Sequence, residues 1–461
     1  MAKFVNIDRE SPLLLPYDLK DWIPNNHIVH FILDAVEMVN LRSFRINHNG
    51  SGSAQYPPHM MLALLIYSYA TGRFSSREIE SASYSDIAVR YICGGNEHPD
   101  HDTICTFRRN NLEAFKESFL KVLMLAQELG HFKKVGGISV DGTKIKASAS
   151  KHSAVSYKRA GEMIKQLEFE IKTLVQKAED ADSRSSDNGL SIPEEIKRRK
   201  DRKDALEKAR NIIEERYEKV KAEKQCEYED KTAKREKLRK EGRKPRGKDP
   251  HPPSAKPDDK AQYNFTDPES RIMKAGSGQH FEQCYNAQAA VDIEGSMLIT
   301  GGYVTNSCND KNELDKVVDS VEPQARKIDD ICADTGYLNE KPILDIEDKT
   351  GTTVYCAVGK QQHHKTLDDL FNNKELAPPK PEASFNELMT YRLKTVKGKA
   401  RYKLRKQTVE PVFGIIKSVL GFREFRLRGI EKVGIEWELV KNAYNIKRLF
   451  NLAKAQLPAS S

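Results

Sequence analysis

Residues 135–147 read VGGISVDGTKIKA, and the fold of the chain turns on them. Val135, Ile138 and Val140 are the β-branched residues of a strand, and Asp141-Gly142 behind them is a turn-forming pair, so the strand is expected to end at Asp141. The next strand patterns follow a long interruption: CYNAQAAVDI at 284–293 and SMLITGGYVT at 296–305. Then NELDKVVDSVEPQARK (312–327) spaces its apolar residues as a helix does, and DDICADTGY (329–337) holds a strand ending at Asp334. NEKPILDIEDKTG (339–351) reads as helical and TTVYCAVGK (352–360) as extended. RYKLRKQTVEPVFGIIKSVL (401–420) closes the series as a helix kinked at Pro411.

The order β-β-β-α-β-α-β-α, three meandering strands followed by crossovers, is that of a ribonuclease-H-like mixed sheet. On that topology Asp141 ends the first strand, Asp334 ends the fourth, and Glu410 lies on the last helix. Two divalent cations need several hard oxygen ligands converging on one point, and such a site activates water or a 3′-hydroxyl for phosphodiester displacement. Each acid also has an ordinary reading. Asp141-Gly142 is a hairpin dipeptide, Asp334-Thr335-Gly336 resembles the loop of an aspartic protease but occurs once where a two-lobed protease needs it twice, and Glu410 could be a helix surface acid. Their joint placement on one topology favours the metal site. Charge argues the same way: from Tyr391 to Ile430 there are twelve Lys/Arg against Glu410 and Glu424. A carboxylate embedded in such a stretch is expected where an acid binds metal and its neighbours bind phosphate. Glu410 and Lys417 are seven apart, close to two helical turns, so they are expected on one face.

The rest of the 461-residue sequence divides around this core. The first ~130 residues read as serial short helices. Pro57-Pro58 precede the apolar MMLALLIYSYATG, Ser75 to Glu78 form a capping box, and Asp102 is expected to cap a helix carrying Thr103, Thr106, Arg108, Arg109 and Asn110. These side chains could contact phosphates and bases in a helix-turn-helix-like module, or form a solvated face. Tyr157 to Lys260 holds 30 Lys/Arg and 24 Asp/Glu in 104 residues, with apolar seams at Met163, Leu167, Ile171, Leu174 and at Leu206, Ala209, Ile213, Val220. It reads as a charged helical hairpin, with Ser191 capping its second arm and a disordered basic end from Lys231 to Lys248. The expected organisation is α/β: an N-terminal all-α domain over 1–132, a ribonuclease-H-like catalytic core from 133–156 plus 262–455, and a charged helical hairpin with a basic linker inserted at 157–261.

Composition excludes other classes. The net charge is +9, the longest apolar run (Met60–Ile66) cannot span a bilayer, and no basic-then-apolar leader opens the chain, so a membrane or secreted protein is not expected. Seven scattered cysteines without a Cys-x-x-Cys read as reduced thiols of a cytosolic protein. Cys93, His98, His101 and Cys105 match no zinc-finger spacing and are expected to form an ordinary loop, and Trp437 is expected in a core.

Together these segments resemble the DDE transposases of bacterial insertion sequences, in the group with an N-terminal helical domain and a Tyr/Arg/Glu/Lys signature helix. The resemblance rests on PPHMMLALLIYSYATG, DHDTICTFRR, SVDGTKIKASAS, DPESRIMK with YNAQAAVD, ADTGY, KQTVEPVFGIIK with RLRG, and ELVKNAYNIKRLF. It implies Asp141, Asp334 and Glu410 as the catalytic, metal-binding triad, Mg2+ as the metal with Mn2+ able to substitute, and DNA as the partner, both terminal inverted repeats and target. It also implies a homodimer or higher assembly on DNA and a cytoplasmic, nucleoid-associated bacterial protein. The signature runs Tyr, two residues, Arg, three residues, Glu, six residues, Lys; here Lys417 fits, Lys406 stands four before Glu410 with Arg405 beside it, and Tyr402 is displaced by one. Lys417, Lys406, Arg405, Tyr402, Lys144, Lys146, Arg426, Arg428, Arg108 and Arg109 are the expected DNA-binding residues. A nuclease without strand transfer and a non-catalytic DNA-binding regulator are the alternative readings.

Overall fold

The computed structural model describes residues 18–48, 54–182, 192–242, 244–245, 248–274, 280–359, 378–380 and 382–456. The chain divides into two units, Met1–Ile145 with Tyr285–Ser461, and Lys146–Cys284. The first begins with α1 (Ile28–Glu37), α2 (Pro58–Ala70), α3 (Ser76–Ser85), α4 (Ile87–Ile92), α5 (His101–Asn110) and α6 (Leu112–Glu128). Proline opens α2, where its missing N–H costs nothing, and Gly72 in the left-handed region at φ 84° ends the turn behind it. Every residue of α2 from Met61 to Ala70 is buried, so it is the central rod of the helical cluster. The capping box at Ser75 and Glu78 forms as expected. The cap of α5 is instead Asp100, whose carboxylate accepts from Thr103 N; Asp102 lies exposed in the first turn. β1 then runs from Val135 to Lys146. Asp141 is therefore inside a strand and not at its end, because Gly142 continues the extended backbone.

The second unit holds β2 (Ala154–Ser156), α7 (Tyr157–Asp182), α8 (Ile192–Lys240), β3 (Gln262–Asn264) and β4 (Arg271–Lys274). β2 and β3 pair antiparallel. Ile164, Leu167, Leu206, Ala209 and Ile213 bury a seam between α7 and α8, and Lys203–Glu168 (2.9 Å) and Arg199–Glu170 (2.9 Å) pair across it. Val220 is exposed. α8 is about 74 Å long and stays helical to Lys240, where the basic run was expected to be disordered. Its like charges are interleaved with acids, as in Lys231–Glu227 at i, i+4. Ser191, the expected cap of that helix, lies outside the described residues.

The sheet of the first unit is built on β5 (Phe281–Asp292), whose first residues pair with β4 inside the second unit. β6 (Ile299–Gly301) and β7 (Val304–Thr305) pair with β5; α9 (Leu314–Asp319), β8 (Lys327–Ala333), α10 (Glu340–Thr350) and β9 (Thr353–Cys356) follow. The strand order is β5-β1-β8-β9. Ile293 N–H donates to Gly137 O and Ala147 N–H to Gln283 O, a register that makes β1 and β5 antiparallel. β1, β8 and β9 are mutually parallel. This mixed sheet beside a helical N-terminal region is consistent with a ribonuclease-H-like core. α9 and α10 bury Leu314, Val317 and Ile343 against Ile138, Val140, Ile331 and Val354.

The chain ends with α11 (Phe385–Lys394), α12 (Val396–Gly414), a π turn at Ile415–Val419, and α13 (Ile430–Gln456). α13 joins the N-terminal helices to the sheet. Its buried polar side chains each meet a partner: Glu436 accepts from Tyr69 Oη and the N–H groups of Arg426 and Leu427, Asn442 donates to Phe115 O, Asn445 bonds both N and O of Ile299, and Lys441 donates to Gly302 O. Trp437 is fully buried, as expected, and donates to Gln288 O. Among the described residues no helix is long and apolar enough to cross a membrane, and all seven cysteines are free.

Candidate functional site

Asp141 projects from the middle of β1, Asp334 directly follows β8, and Glu410 lies on α12. Parallel pairing sets Val140 beside Ala333, which brings the first two acids to neighbouring positions. Asp334 is fixed by capping its own turn, Oδ1 accepting from Gly336 N at 2.8 Å, and Asp141 Oδ1 accepts from Gly142 N at 2.8 Å. Arg405, one and a half helical turns before Glu410, joins all three. Its Nη1 lies 2.8 Å from Glu410 Oε1, and its Nη2 lies 3.3 Å from Asp141 Oδ2 and 3.8 Å from Asp334 Oδ2.

Electrostatics follow from that crowding. Burial raises the Asp141 carboxyl, Arg405 opposes the rise, and Asp334 and Asp310 add to it, leaving it pushed up to about 7. Burial disfavours the charge of Arg405, yet Asp141, Tyr402, Asp334 and Glu410 outweigh it and hold the guanidinium above its ordinary value. The donor set is three carboxylates, the hard oxygens that a Mg2+-type cation takes, already gathered on one positive group. In this respect the residues fit such an ion. Among the described residues no three His, Cys, Asp or Glu side chains approach closely enough to hold one together, since Arg405 stands between them.

The other expected site residues divide. Lys417 lies within the π turn and donates to Lys144 O at 2.8 Å, so α12 and its continuation hold β1 at two points. Lys144 Nζ lies 3.7 Å from Asp310 Oδ1. Tyr402 packs against Ile293, Cys332 and Tyr355, and burial pushes its hydroxyl up to about 12. Lys406, Arg426, Arg428 and Arg109 are exposed. Lys146 belongs to the second unit, 3.8 Å from Glu282. Arg108 corrects the expectation of a DNA contact: it is buried, donates to Tyr69 Oη and Phe74 O, and stands 3.9 Å from Glu436, so it has no surface to offer a phosphate. His98 stacks on Tyr84 and His101 pairs with Glu80 at 2.8 Å.

Asp310 is the site residue that sequence reading passed over. Its Oδ1 accepts from Asn286 Nδ2 at 2.6 Å and Gln288 Nε2 at 2.7 Å, and Gln288 in turn accepts from Tyr337 Oη. The signal was Asn286 and Gln288 themselves, two wholly buried amides in the otherwise apolar run 284–291, which require a buried polar partner.

Residues 17–110 match the family described as Transposase domain (DUF772), and residues 250–446 match the Transposase DDE domain family. No curated protein and no solved structure gives a significant match.

Proposed function

The chain belongs with the DDE transposases of insertion sequences, and on that premise we propose that it binds the terminal inverted repeats of its element, cuts there in a metal-dependent reaction, and joins the freed end to target DNA. The observation that carries this reading is the convergence of Asp141, Asp334 and Glu410, from three distant segments, on the single guanidinium of Arg405. In it the three carboxylates would hold Mg2+, for which Mn2+ would substitute, and the ion would supply Lewis-acid activation of the attacking oxygen and stabilise the leaving one. Asp141 and Asp334 orient the attacking oxygen, and Glu410 completes the set from α12. Arg405, whose guanidinium is shared among the three acids, would keep them gathered where the cation is to bind. Exposed Lys406, Arg426, Arg428 and Arg109 hold the flanking backbone, while Lys417 fixes the strand that carries Asp141.

Cutting and joining with two ends together calls for at least a dimer on DNA, and the packed helices α7 and α8 form an insertion in a ribonuclease-H-like core that serves assembly or grips flanking DNA. The reading is tested by incubating the protein with Mg2+, a labelled duplex carrying the ends that flank its gene, and an unlabelled plasmid. Labelled ends joined to the plasmid are the expected product. Cut ends without joined species would make the protein a nuclease, and binding without cutting would make it a regulator.

A further inference from the structure

We propose that Asp310 is a fourth carboxylate of the cation site, preset by Asn286 and Gln288 to face a divalent ion beside Asp141 and Asp334. The proposal rests on the reading of the site given above. Asp310 lies in the loop between β7 and α9, and its orientation is fixed: Oδ1 accepts from the side-chain amides of Asn286 and Gln288, both without exposed surface. The neighbouring backbone has been fitted around this cluster. A methyl group at Gly142 would stand 2.3 Å from Gln288 Nε2, 2.8 Å from Asp310 Oδ1 and 2.9 Å from Asn286 Oδ1, so any side chain after Asp141 would displace this cluster. On the other side, a methyl at Gly336 would stand 2.9 Å from Asp334 Oδ1 and 3.7 Å from Asp310 Oδ2. Asp310 thus lies beside the residue after one acid and beside the turn of the other, with Oδ2 on the side of Gly336.

Acids gathered in this way repel one another unless a cation sits among them. Lys144 Nζ, 3.7 Å from Asp310 Oδ1, and Arg405 offset part of this charge, and a divalent ion would offset the rest. One further group points to the ion. Asn286 is wholly buried, yet among the described residues its Oδ1 has no hydrogen-bond partner; it faces Gly142, where a water bound to a cation would donate to it. Carboxylates spaced more widely than direct ligands of one ion would suit a divalent cation that keeps part of its hydration shell.

The test is a Mn2+ titration of the full-length protein bound to uncleavable end DNA, following free Mn2+ by its paramagnetic resonance signal, with thermal unfolding measured in chelator. Asp310→Asn should weaken Mn2+ binding by about ten-fold and leave the metal-free unfolding temperature unchanged or higher, since repulsion is relieved. Asp310→Ser is the second variant, with the same expected direction should the first not fold. Mn2+ affinity within two-fold of wild type, with a lower unfolding temperature, would reduce Asp310 to a clamp on β1 and overturn the proposal. Asp141→Asn separates the two levels of argument. If it too binds Mn2+ like wild type, the cation site itself is misassigned; if it loses binding while Asp310→Asn does not, only the fourth carboxylate fails.

Discussion

Arg405 shares its guanidinium among Asp141, Asp334 and Glu410, so removing it leaves three carboxylates facing one another. Arg405→Ala is expected to cost about 3 kcal/mol of stability in chelator, with most of the loss recovered in Mg2+. A loss independent of Mg2+, measured by thermal unfolding, would show that Arg405 is only a packing residue. Asp141 gives a pH dependence of known sign. Its value in the folded protein, about 7, lies above its ordinary 3.8, so between those pH values the folded protein holds more protons than the unfolded chain. Metal-free stability from this group therefore falls as pH rises from about 4 to 7. Asp141→Asn should be more stable than wild type at pH 8, by at most roughly 4 kcal/mol, and equal to it near pH 3. Equal unfolding curves at both pH values would contradict the assignment. Arg108→Ala should destabilise by about 3 kcal/mol, because it strips a buried partner from Glu436 and Tyr69.

At the scale of elements, the sheet was legible because its strands carry β-branched and apolar runs of the right length, and the helices between them keep their apolar spacing. Two features were not. Asp141-Gly142 reads locally as a turn, but although pairing with β8 stops at Val140, pairing with β5 on the other edge keeps β1 extended as far as Lys146. The basic end of α8 reads locally as unstructured, yet its acids fall one turn from its lysines and the helix persists to Lys240. The convergence of Asp141, Asp334 and Glu410 was readable from topology, whereas Asp310 was not. Its role depends on side chains of β5 in three dimensions, and only the anomalous Asn286 and Gln288 could have announced it. Arg108 failed for a related reason: a helix N-terminal pattern does not tell which arginine faces inward.

Across the whole molecule, charge and acids divide the work. On the proposed reading the exposed cations set DNA affinity and the acids gathered around Arg405 set chemistry. Arg426→Ala and Arg428→Ala should each lower the slope of log binding constant against log salt concentration by about 0.9, leaving cleavage of bound DNA intact. A slope unchanged in the double variant would remove these residues from the interface. The most direct test of the account is nicking of labelled end DNA in Mg2+ by wild type and by Asp141→Asn, Asp334→Asn and Glu410→Gln, with binding measured alongside. The account predicts metal-dependent nicking by wild type alone, with all four proteins binding DNA. Near-wild-type nicking by any one of the three variants would contradict it.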